Sequence, residues 1–467
     1  MMKTRVPSGL EQEPARGGSQ RNGAVAALLI LLLVGMVLRL VGIFTVGNVP
    51  KLHGDERYYV RAARTLLDQG SFPGSFRPPG YAAFIAGSLR VLPWGSRGVQ
   101  LAQAAVSLVA LALVFDLVCR RFGVRPALLS GLLCAVNPTL IHYTSLFWSE
   151  TLVATLILLV LWCLDRFADE PRSRWLVAAR VALGATALTR EMHLYFAPFI
   201  VAWIVSVRQR PLSSKLSAAM VFAMSVAIAV LPWMMRNHRQ IGEFALSMNR
   251  WLPAAMGNRP ALDGTLLGPG SHAEMVAAYR EYPSPVAREA YARRTALDSI
   301  AEQQPWWIVR KVARNTDLLF SPTSQLSRYA RRGWLPDELR SVATFLVVSE
   351  AAAYGVLMSL GIVALWFVPG GHPKALVVAW IIFSWGVYVI ANANHRFRVP
   401  LLPLFALYAG PLLCGRWVSD RTFRPRLVGA LVCLAVFAVV QLGRVRTSPN
   451  DETASEEEAS TTAESIP

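Results

Sequence analysis

Long apolar stretches recur along this sequence, separated by short charged segments, and they constrain the fold more than any other feature. A helix rises 1.5 Å per residue, so about 17–25 apolar residues cross the hydrocarbon core of a bilayer, which is roughly 30 Å thick. The chain is 54% hydrophobic and only 16% charged, which is more apolar than a soluble domain requires. We therefore predict an all-α integral membrane protein.

Eleven apolar ranges lie between charged junctions and are candidate transmembrane helices. They are 24–44, 98–118, 125–143, 147–167, 175–190, 193–207, 215–235, 344–368, 374–391, 398–415 and 427–443. The sequence thus predicts a membrane domain of about eleven spans over residues 24–443. Residues 1–23 are predicted to be a disordered basic cytoplasmic lead-in, and residues 444–467 a disordered acidic tail.

The distribution of arginine predicts the orientation. If the basic lead-in lies in the cytoplasm, the short loops at 120–123, 166–174, 208–215 and 416–426 also lie inside, and all four are rich in arginine. The same alternation places two larger loops, 45–97 and 236–343, outside. Helical spacing over 56–67 and 81–92 predicts two interfacial helices in the first outer loop.

Charge and cysteine content narrow the classes of partner. The formal net charge is +18, but the basic residues form short clusters between apolar spans. This pattern favours membrane lipid headgroups and carrier phosphates, and it does not indicate a nucleic-acid partner. The five cysteines form no CxxC or Cys/His set, so neither a disulfide framework nor a structural zinc site is expected.

An acidic pair, Asp55-Glu56, stands at the predicted outer end of the first span, just before an interfacial helix. A carboxylate at this place can act as a general base toward an acceptor hydroxyl, because partial burial or a second carboxylate raises its pKa toward a useful range. The alternative is that both carboxylates only stabilise the N-terminus of the following helix. The pair alone does not decide between these interpretations.

An ordered set of motifs extends along most of the chain, over residues 24–415. The set comprises Asp55-Glu56, Tyr59, Ala62-Ala63, Arg77-Pro78-Pro79-Gly80-Tyr81, Asn137-Pro138, Glu150, Ala187-Leu188-Thr189-Arg190, Leu231-Pro232-Trp233-Met234-Met235-Arg236-Asn237, Gly257-Asn258-Arg259-Pro260 and His395-Arg396-Phe397-Arg398-Val399-Pro400-Leu401-Leu402-Pro403. In this order the motifs resemble those of membrane glycosyltransferases of the GT-C superfamily. The most similar branch is that of protein O-mannosyltransferases and the aminoarabinose transferase of lipid A (glycosyltransferase family 39 and its relatives).

The resemblance implies a GT-C-type helical bundle that catalyses an inverting transfer. An acceptor hydroxyl attacks the anomeric carbon of a sugar carried on a polyprenyl phosphate, and Asp55 matches the position of the family's base. Phosphate is a good leaving group, so the reaction needs electrostatic stabilisation more than a general acid. Glu56 and Glu150 are the candidates to shape or support the site of the donor sugar.

Arginines at the predicted outer junctions are the candidate ligands of the lipid phosphate, since a guanidinium can bind phosphate in a bidentate manner. They are Arg77, Arg190, Arg236, Arg396 and Arg398. For each of them the alternative is a snorkelling anchor or a structural ion pair. Arg190 is followed directly by Glu191, so an ion pair or a helix-end role is an alternative there. The family often has Lys at the position of Arg190. Arg39, within the first span, is expected to snorkel outward and receives no role.

No cofactor follows from the sequence with certainty, and a divalent metal stays open with His53 and Glu56 as its weak candidate ligands. The acceptor can be a protein, a glycolipid or a glycan. The expected location is the plasma membrane (the inner membrane of a bacterium), with the active site facing the periplasm or exterior. A transporter or flippase of lipid-linked sugars is the rival, although a transporter normally places its ionisable groups near the bilayer midplane on broken helices.

Overall fold

A computed structural model describes residues 14–47, 52, 55–170, 172–206, 211–258, 277–415 and 423–443. These residues form helices and connecting segments, and none of them lies in a strand. In chain order the α-helices are α1 (Pro14–Phe44), α2 (Asp55–Gln69), α3 (Gly80–Val91), α4 (Ser96–Phe122), α5 (Val124–Ala135), α6 (Pro138–His142), α7 (Glu150–Asp169), α8 (Ser173–Thr189), α9 (Ala197–Ser206), α10 (Leu212–Ile241), α11 (Leu252–Asn258), α12 (Pro285–Glu302), α13 (Trp307–Phe320), α14 (Gln325–Arg331), α15 (Asp337–Arg340), α16 (Ala343–Phe367), α17 (Gly371–Ile390), α18 (Leu402–Cys414) and α19 (Phe423–Gly443). Two 3-10 segments, Glu191–Phe196 and His395–Leu401, lead into α9 and α18.

Eight helical segments in the described part of the chain are long and apolar enough to cross a membrane. They are Asn22–Phe44, Ser96–Phe122, Glu150–Asp169, Leu212–Ile241, Asp337–Phe367, Pro373–Ile390, His395–Cys414 and Arg424–Gln441. The all-α membrane fold predicted from the sequence is thereby confirmed. The other three predicted spans coincide with shorter helices, α5 with α6, α8, and α9 with its 3-10 turn, so the count of eleven stays a prediction.

The first and last helices bear on the predicted boundaries of the membrane domain. Helix α1 begins at Pro14, inside the range predicted as a lead-in. Residues 1–13 and 444–467, which include the predicted tail, lie outside the described residues. The division into a lead-in, a membrane domain and a tail stays a prediction.

Helix α18 forms the centre of the bundle. Its residues from Leu402 to Pro411 are all buried, and it packs against α5 and α16. A helix that is apolar on all sides is stable only where other helices or lipid surround it. The peripheral helices α1, α10 and α19 instead keep apolar side chains exposed, for example Leu29, Met224 and Val432, as lipid contact requires.

Ion pairs join helix ends at the side predicted to be cytoplasmic. The buried Asp165 of α7 accepts a hydrogen bond of 2.8 Å from Arg121, at the end of α4. Arg166 pairs with Asp116 at 2.8 Å. Arginines of two of the four clusters that predicted the orientation, 120–123 and 166–174, thus have carboxylate partners within the protein. The orientation itself stays a prediction.

Both helices predicted in the first outer loop are present, as α2 and α3. They pack against each other through Tyr59 and Tyr81, whose ring centroids are 4.8 Å apart. The Tyr81 hydroxyl donates a hydrogen bond of 2.9 Å to Gln103 on α4. In turn, the Gln103 amide donates to the backbone oxygens of Thr144 and Leu146. Helices α2 and α3 are therefore joined through Gln103 to the loop that precedes α7.

Gly410 permits the close approach of α18 and α5. A Cβ atom at this position would lie 2.3 Å from the Pro126 carbonyl oxygen and 2.6 Å from the Ser130 nitrogen. Both are backbone atoms, so Gly410→Ala must push the two helices apart. We expect it to cost about 1–3 kcal/mol of stability, as overpacking does, and to lower the thermal unfolding midpoint of the detergent-solubilised protein.

Gly355→Ala is the matched control, because a Cβ atom there meets nothing within 4 Å. This variant should unfold at the wild-type midpoint or slightly above it, since alanine favours the helix. Equal midpoints for the two variants would contradict the proposed role of Gly410 in helix packing.

Candidate active site

Asp55 is held by two arginines from distant parts of the chain. It is the first residue of α2. Its Oδ1 accepts a hydrogen bond of 2.6 Å from Nη2 of Arg77, in the segment before α3. Its Oδ2 accepts one of 2.6 Å from Nη2 of Arg396, in the 3-10 segment before α18. The carboxylate thus bridges the first outer loop and the C-terminal half of the protein.

Burial and the two arginines act in opposite directions on the pKa of Asp55. Burial alone would raise it, but the positive charges of Arg77 and Arg396 outweigh that effect and hold the pKa well below its usual range. The carboxylate is therefore ionised at neutral pH. Asp55 and Glu56 also occupy the first turn of α2, so the helix-end interpretation of the pair holds alongside any chemical one.

A second carboxylate–arginine pair lies next to the first. Glu150 begins α7 and is only 1% exposed. Its Oε1 accepts a hydrogen bond of 2.7 Å from Nη2 of Arg190 and lies 3.9 Å from Nε of Arg396. Arg190 also donates to the Tyr388 hydroxyl at 3.0 Å. The buried Oε2 of Glu150 has no hydrogen-bond partner among the described residues.

Aromatic rings line the arginines of this cluster. Arg396 lies over the Trp148 ring, with its Cζ 4.7 Å from the centroid. Arg190 lies over the Phe397 ring at 4.9 Å, and Arg77 over the Tyr59 ring at 5.6 Å. Such contacts stabilise a guanidinium that has lost part of its hydration. Asp55, Glu150 and the three arginines together carry a formal charge of +1, which suits an anionic ligand.

Glu56 bonds to the backbone of another segment. Its Oε1 accepts a hydrogen bond of 2.8 Å from the backbone N–H of Phe147, in the loop before α7. The contact joins the start of α2 to the loop that precedes Glu150. His53, the other candidate metal ligand, lies outside the described residues. No three His, Cys, Asp or Glu side chains within the described ranges gather as a metal site would require.

Two of the predicted phosphate ligands are directed elsewhere. Arg236 donates to the backbone oxygens of Phe72 and Gly74 at 2.7 and 2.8 Å. Arg398 donates to the backbone oxygens of three residues at the end of α13 and just after it, and it lies over the Tyr354 ring at 3.9 Å. These residues are Leu319, Ser321 and Thr323. Both arginines hold outer segments in place, whereas Arg77, Arg190 and Arg396 converge on the carboxylates.

Sequence reasoning missed Tyr388, which orients Arg190, and the outer helix that supports it. Lys311 and Asn315 of α13 donate to the last carbonyls of α17, including those of Ala391 and Val389. Burial and the nearby Arg314 lower the pKa of Lys311 to about 7. No local motif distinguishes these residues, because tyrosine and lysine at the end of a span are common in membrane proteins.

The fold and this cluster can be compared with known proteins. The fold is similar to that of ArnT from Cupriavidus metallidurans bound to undecaprenyl phosphate, with a TM-score of 0.52 and 16% identity over 90% of this chain and 66% of that chain. An oligosaccharyltransferase of Archaeoglobus fulgidus, solved with Zn and sulfate, matches with a TM-score of 0.48 and 15% identity over 94% of this chain and 53% of that one. This chain therefore spans slightly less than two thirds of the ArnT chain and about half of the archaeal one.

The family model of dolichyl-phosphate-mannose-protein mannosyltransferases matches residues 76–233. This range is about a third of the chain and includes Arg77, Glu150 and Arg190. No curated protein matches this sequence. The family match and the structural match together confirm the GT-C resemblance and fold that the sequence predicted, and the chain is an integral membrane protein.

The contacts of Arg398 predict that its main effect is on stability. Arg398→Gln leaves backbone carbonyls buried without their donor, and each such group costs about 1–3 kcal/mol. We expect a clear fall in the thermal unfolding midpoint. Arg340→Gln removes only the exposed pair with Asp337, and it should leave the midpoint within error of wild type. A wild-type midpoint for Arg398→Gln would refute this role.

Proposed function

We propose that this protein is an inverting glycosyltransferase that moves a sugar from a polyprenyl-phosphate donor to an acceptor hydroxyl on the non-cytoplasmic side of the membrane. The observation that carries the proposal is the carboxylate of Asp55 held between Arg77 and Arg396. The carboxylate and the two guanidiniums bring a base and two cations together at one place. The acceptor is a protein, a glycolipid or a glycan, and the membrane is the plasma membrane, or inner membrane, of a bacterium.

We expect binding of the donor phosphate to activate the base, because the phosphate competes with Asp55 for its two arginines. Arg77 and Arg396 each donate 2.6 Å hydrogen bonds to Asp55, and each has a buried Nε without a hydrogen-bond partner among the described residues. A phosphate competes for these guanidiniums because it offers several charged oxygens. Once they turn toward the phosphate, the pKa of Asp55 rises, and the carboxylate becomes a stronger base.

The transfer needs no reactant besides the donor, the acceptor hydroxyl and the Asp55 carboxylate. Asp55 takes the proton of the acceptor hydroxyl as the acceptor oxygen forms its bond to the anomeric carbon. The bond from that carbon to the phosphate oxygen breaks on the opposite face, and its electron pair leaves with the polyprenyl phosphate. Arg77 and Arg396 stabilise the negative charge on the departing phosphate. Attack from the opposite face inverts the anomeric centre.

Glu150 and Arg190 are proposed to serve the donor sugar. The unpartnered Oε2 of Glu150 is available to accept a hydrogen bond from a sugar hydroxyl, while Oε1 is held by Arg190. Tyr388 fixes Arg190 in turn. Glu56 supports the site through the loop before α7. A phosphate-binding role for Arg190, Arg236 or Arg398 stays a prediction, and the contacts of Arg236 and Arg398 favour loop support.

The comparisons support this choice of donor. The family that matches residues 76–233 takes its name from dolichyl-phosphate mannose, and the similar ArnT structure holds undecaprenyl phosphate. The position of the charged groups also favours an enzyme over a transporter. Asp55, Arg77 and Arg190 lie outside the eight candidate spans, and Glu150 and Arg396 lie at the very start of theirs. A transport site would place such groups near the bilayer midplane, where spans are broken.

Asp55→Asn tests the base directly. The amide keeps the size of the side chain but does not accept a proton, so we expect turnover to fall by about 10²–10⁴-fold, the usual contribution of a general base. Sugar transfer would be measured in vesicles with a panel of polyprenyl-phosphate sugars and acceptors extracted from membranes. Asp337→Asn, at an exposed residue, is the control. Wild-type turnover by Asp55→Asn would refute the mechanism.

Arg77→Gln tests the electrostatic coupling between Asp55 and its arginines. Arg77 lowers the pKa of Asp55, so its removal should raise that pKa, and activity should be lost at a higher pH as the solution is acidified. The acid limb of kcat/KM, which reports the free enzyme, would move upward by about one pH unit or more, with a raised KM for the donor.

Arg236→Gln keeps the positive charge next to Asp55 and is the matched control for this experiment. Its acid limb should coincide with that of the wild type. If Arg77→Gln lowered activity equally at every pH, the proposed coupling would be wrong.

A further inference from the structure

Arg39 is a buried charge inside a membrane span that the proposed mechanism does not use. The sequence predicted that it snorkels outward, but the side chain is only 1% exposed and bonds to other helices of the bundle. Its Nε donates to Ser107 Oγ at 2.8 Å. Its Nη1 donates to the backbone oxygens of Gly35 at 3.0 Å and Ala135 at 3.4 Å.

All three acceptors of Arg39 are neutral. No carboxylate in the described part of the chain pairs with it, although an isolated charge in an apolar interior is costly. The partly buried Arg190 and Arg396 have a carboxylate within reach. Arg398, which is as buried as Arg39, donates to three backbone carbonyls, whereas Arg39 reaches only two carbonyls and a hydroxyl. The charge of Arg39 therefore calls for a partner that the described residues do not provide.

A small cavity lies beside Arg39, between α1, α4, α5, α7 and the segment leading into α18. Its volume is about 20 Å³, above the roughly 10–15 Å³ that one water molecule needs. The lining residues that carry polar or thiol groups are Arg39, Ser107, Cys134, Thr151 and Thr155. Cavities that stay dry are lined by apolar groups alone, so this cavity is suited to hold a small polar species.

The hydrogen-bonding groups at the cavity favour an anion. Nη2 of Arg39 donates to no described atom, and the Ser107 hydroxyl accepts from Arg39 while its own hydrogen has no acceptor among the described residues. The hydroxyls of Thr151 and Thr155 already donate to backbone oxygens. Arg39 and Ser107 thus remain as hydrogen-bond donors to the cavity. A water molecule would leave the positive charge of Arg39 uncompensated, whereas an anion would neutralise it.

We propose that this cavity is a binding site for a monatomic anion, chloride under physiological conditions, held by Arg39 and Ser107. The volume of the cavity fits one small ion. The bound ion neutralises Arg39 and joins α1 to α4, and the cavity lies one residue along the chain from the candidate active site, because Thr151 follows Glu150. The proposal does not depend on the proposed glycosyl transfer.

The first test is thermal unfolding of the purified full-length protein in sodium chloride and in sodium gluconate at equal ionic strength. Chloride binds the folded state, so it should raise the wild-type midpoint by about 2 °C or more. Arg39→Met removes the charge and should have the same midpoint in both salts, and Ser107→Ala should show a smaller chloride effect.

Arg180→Met is the matched control, because Arg180 also lies in a helix of the bundle and donates to a serine, Ser225, at 2.8 Å. This variant should keep the full chloride effect. Equal wild-type midpoints in the two salts, or an undiminished chloride effect in Arg39→Met, would overturn the proposal.

Bromide provides a second readout that does not rely on a variant that folds. Crystals of the wild-type protein grown in bromide should show an anomalous peak within hydrogen-bonding distance of Arg39 and Ser107. A difference map without a peak at this cavity would overturn the proposal, whatever peaks appear at the surface.

Discussion

The bridge from Arg77 through Asp55 to Arg396 is the interaction on which the rest of the site depends. It joins the segment before α3, the start of α2 and the segment before α18, which are far apart in sequence. Charge-assisted hydrogen bonds in a poorly hydrated place are strong, and removal of one partner leaves the others buried and uncompensated. The bridge therefore joins the start of α2 to both segments, and in the proposed mechanism the donor phosphate competes with Asp55 for the two arginines.

The buried arginines of this protein are compensated in different ways, and the difference separates the proposed reaction centre from its support. Arg77, Arg190 and Arg396 face carboxylates and carry aromatic rings against them, so their partners can exchange with a ligand of the same charge. Arg236 and Arg398 instead donate mainly to backbone carbonyls. Those bonds hold loops, and a ligand gains little by breaking them because the carbonyls would then be left unsatisfied.

The outer helices connect this site to the remainder of the membrane bundle. Asn315 of α13 donates to the carbonyl of Val389 at 2.7 Å, near the end of α17, where carbonyls lack partners within the helix. Tyr388 lies at the same helix end. Its hydroxyl accepts a hydrogen bond from Arg190 and so orients that arginine. Packing of α13 against α17 therefore affects the geometry around Glu150, although no residue of α13 touches that carboxylate.

The sequence by itself determined the class of fold and the helices α2 and α3, and it singled out Asp55 as the candidate base. Span length and helical spacing depend only on local chain geometry and hydropathy, and the ordered motifs carried the GT-C resemblance. Tertiary structure alone decided which arginines face Asp55, that Glu150 pairs with Arg190, and that Arg39 is enclosed beside a cavity. Hydropathy places an arginine at a helix end or within a span, but the direction of its guanidinium depends on the neighbouring helices, and their arrangement is a property of the whole bundle.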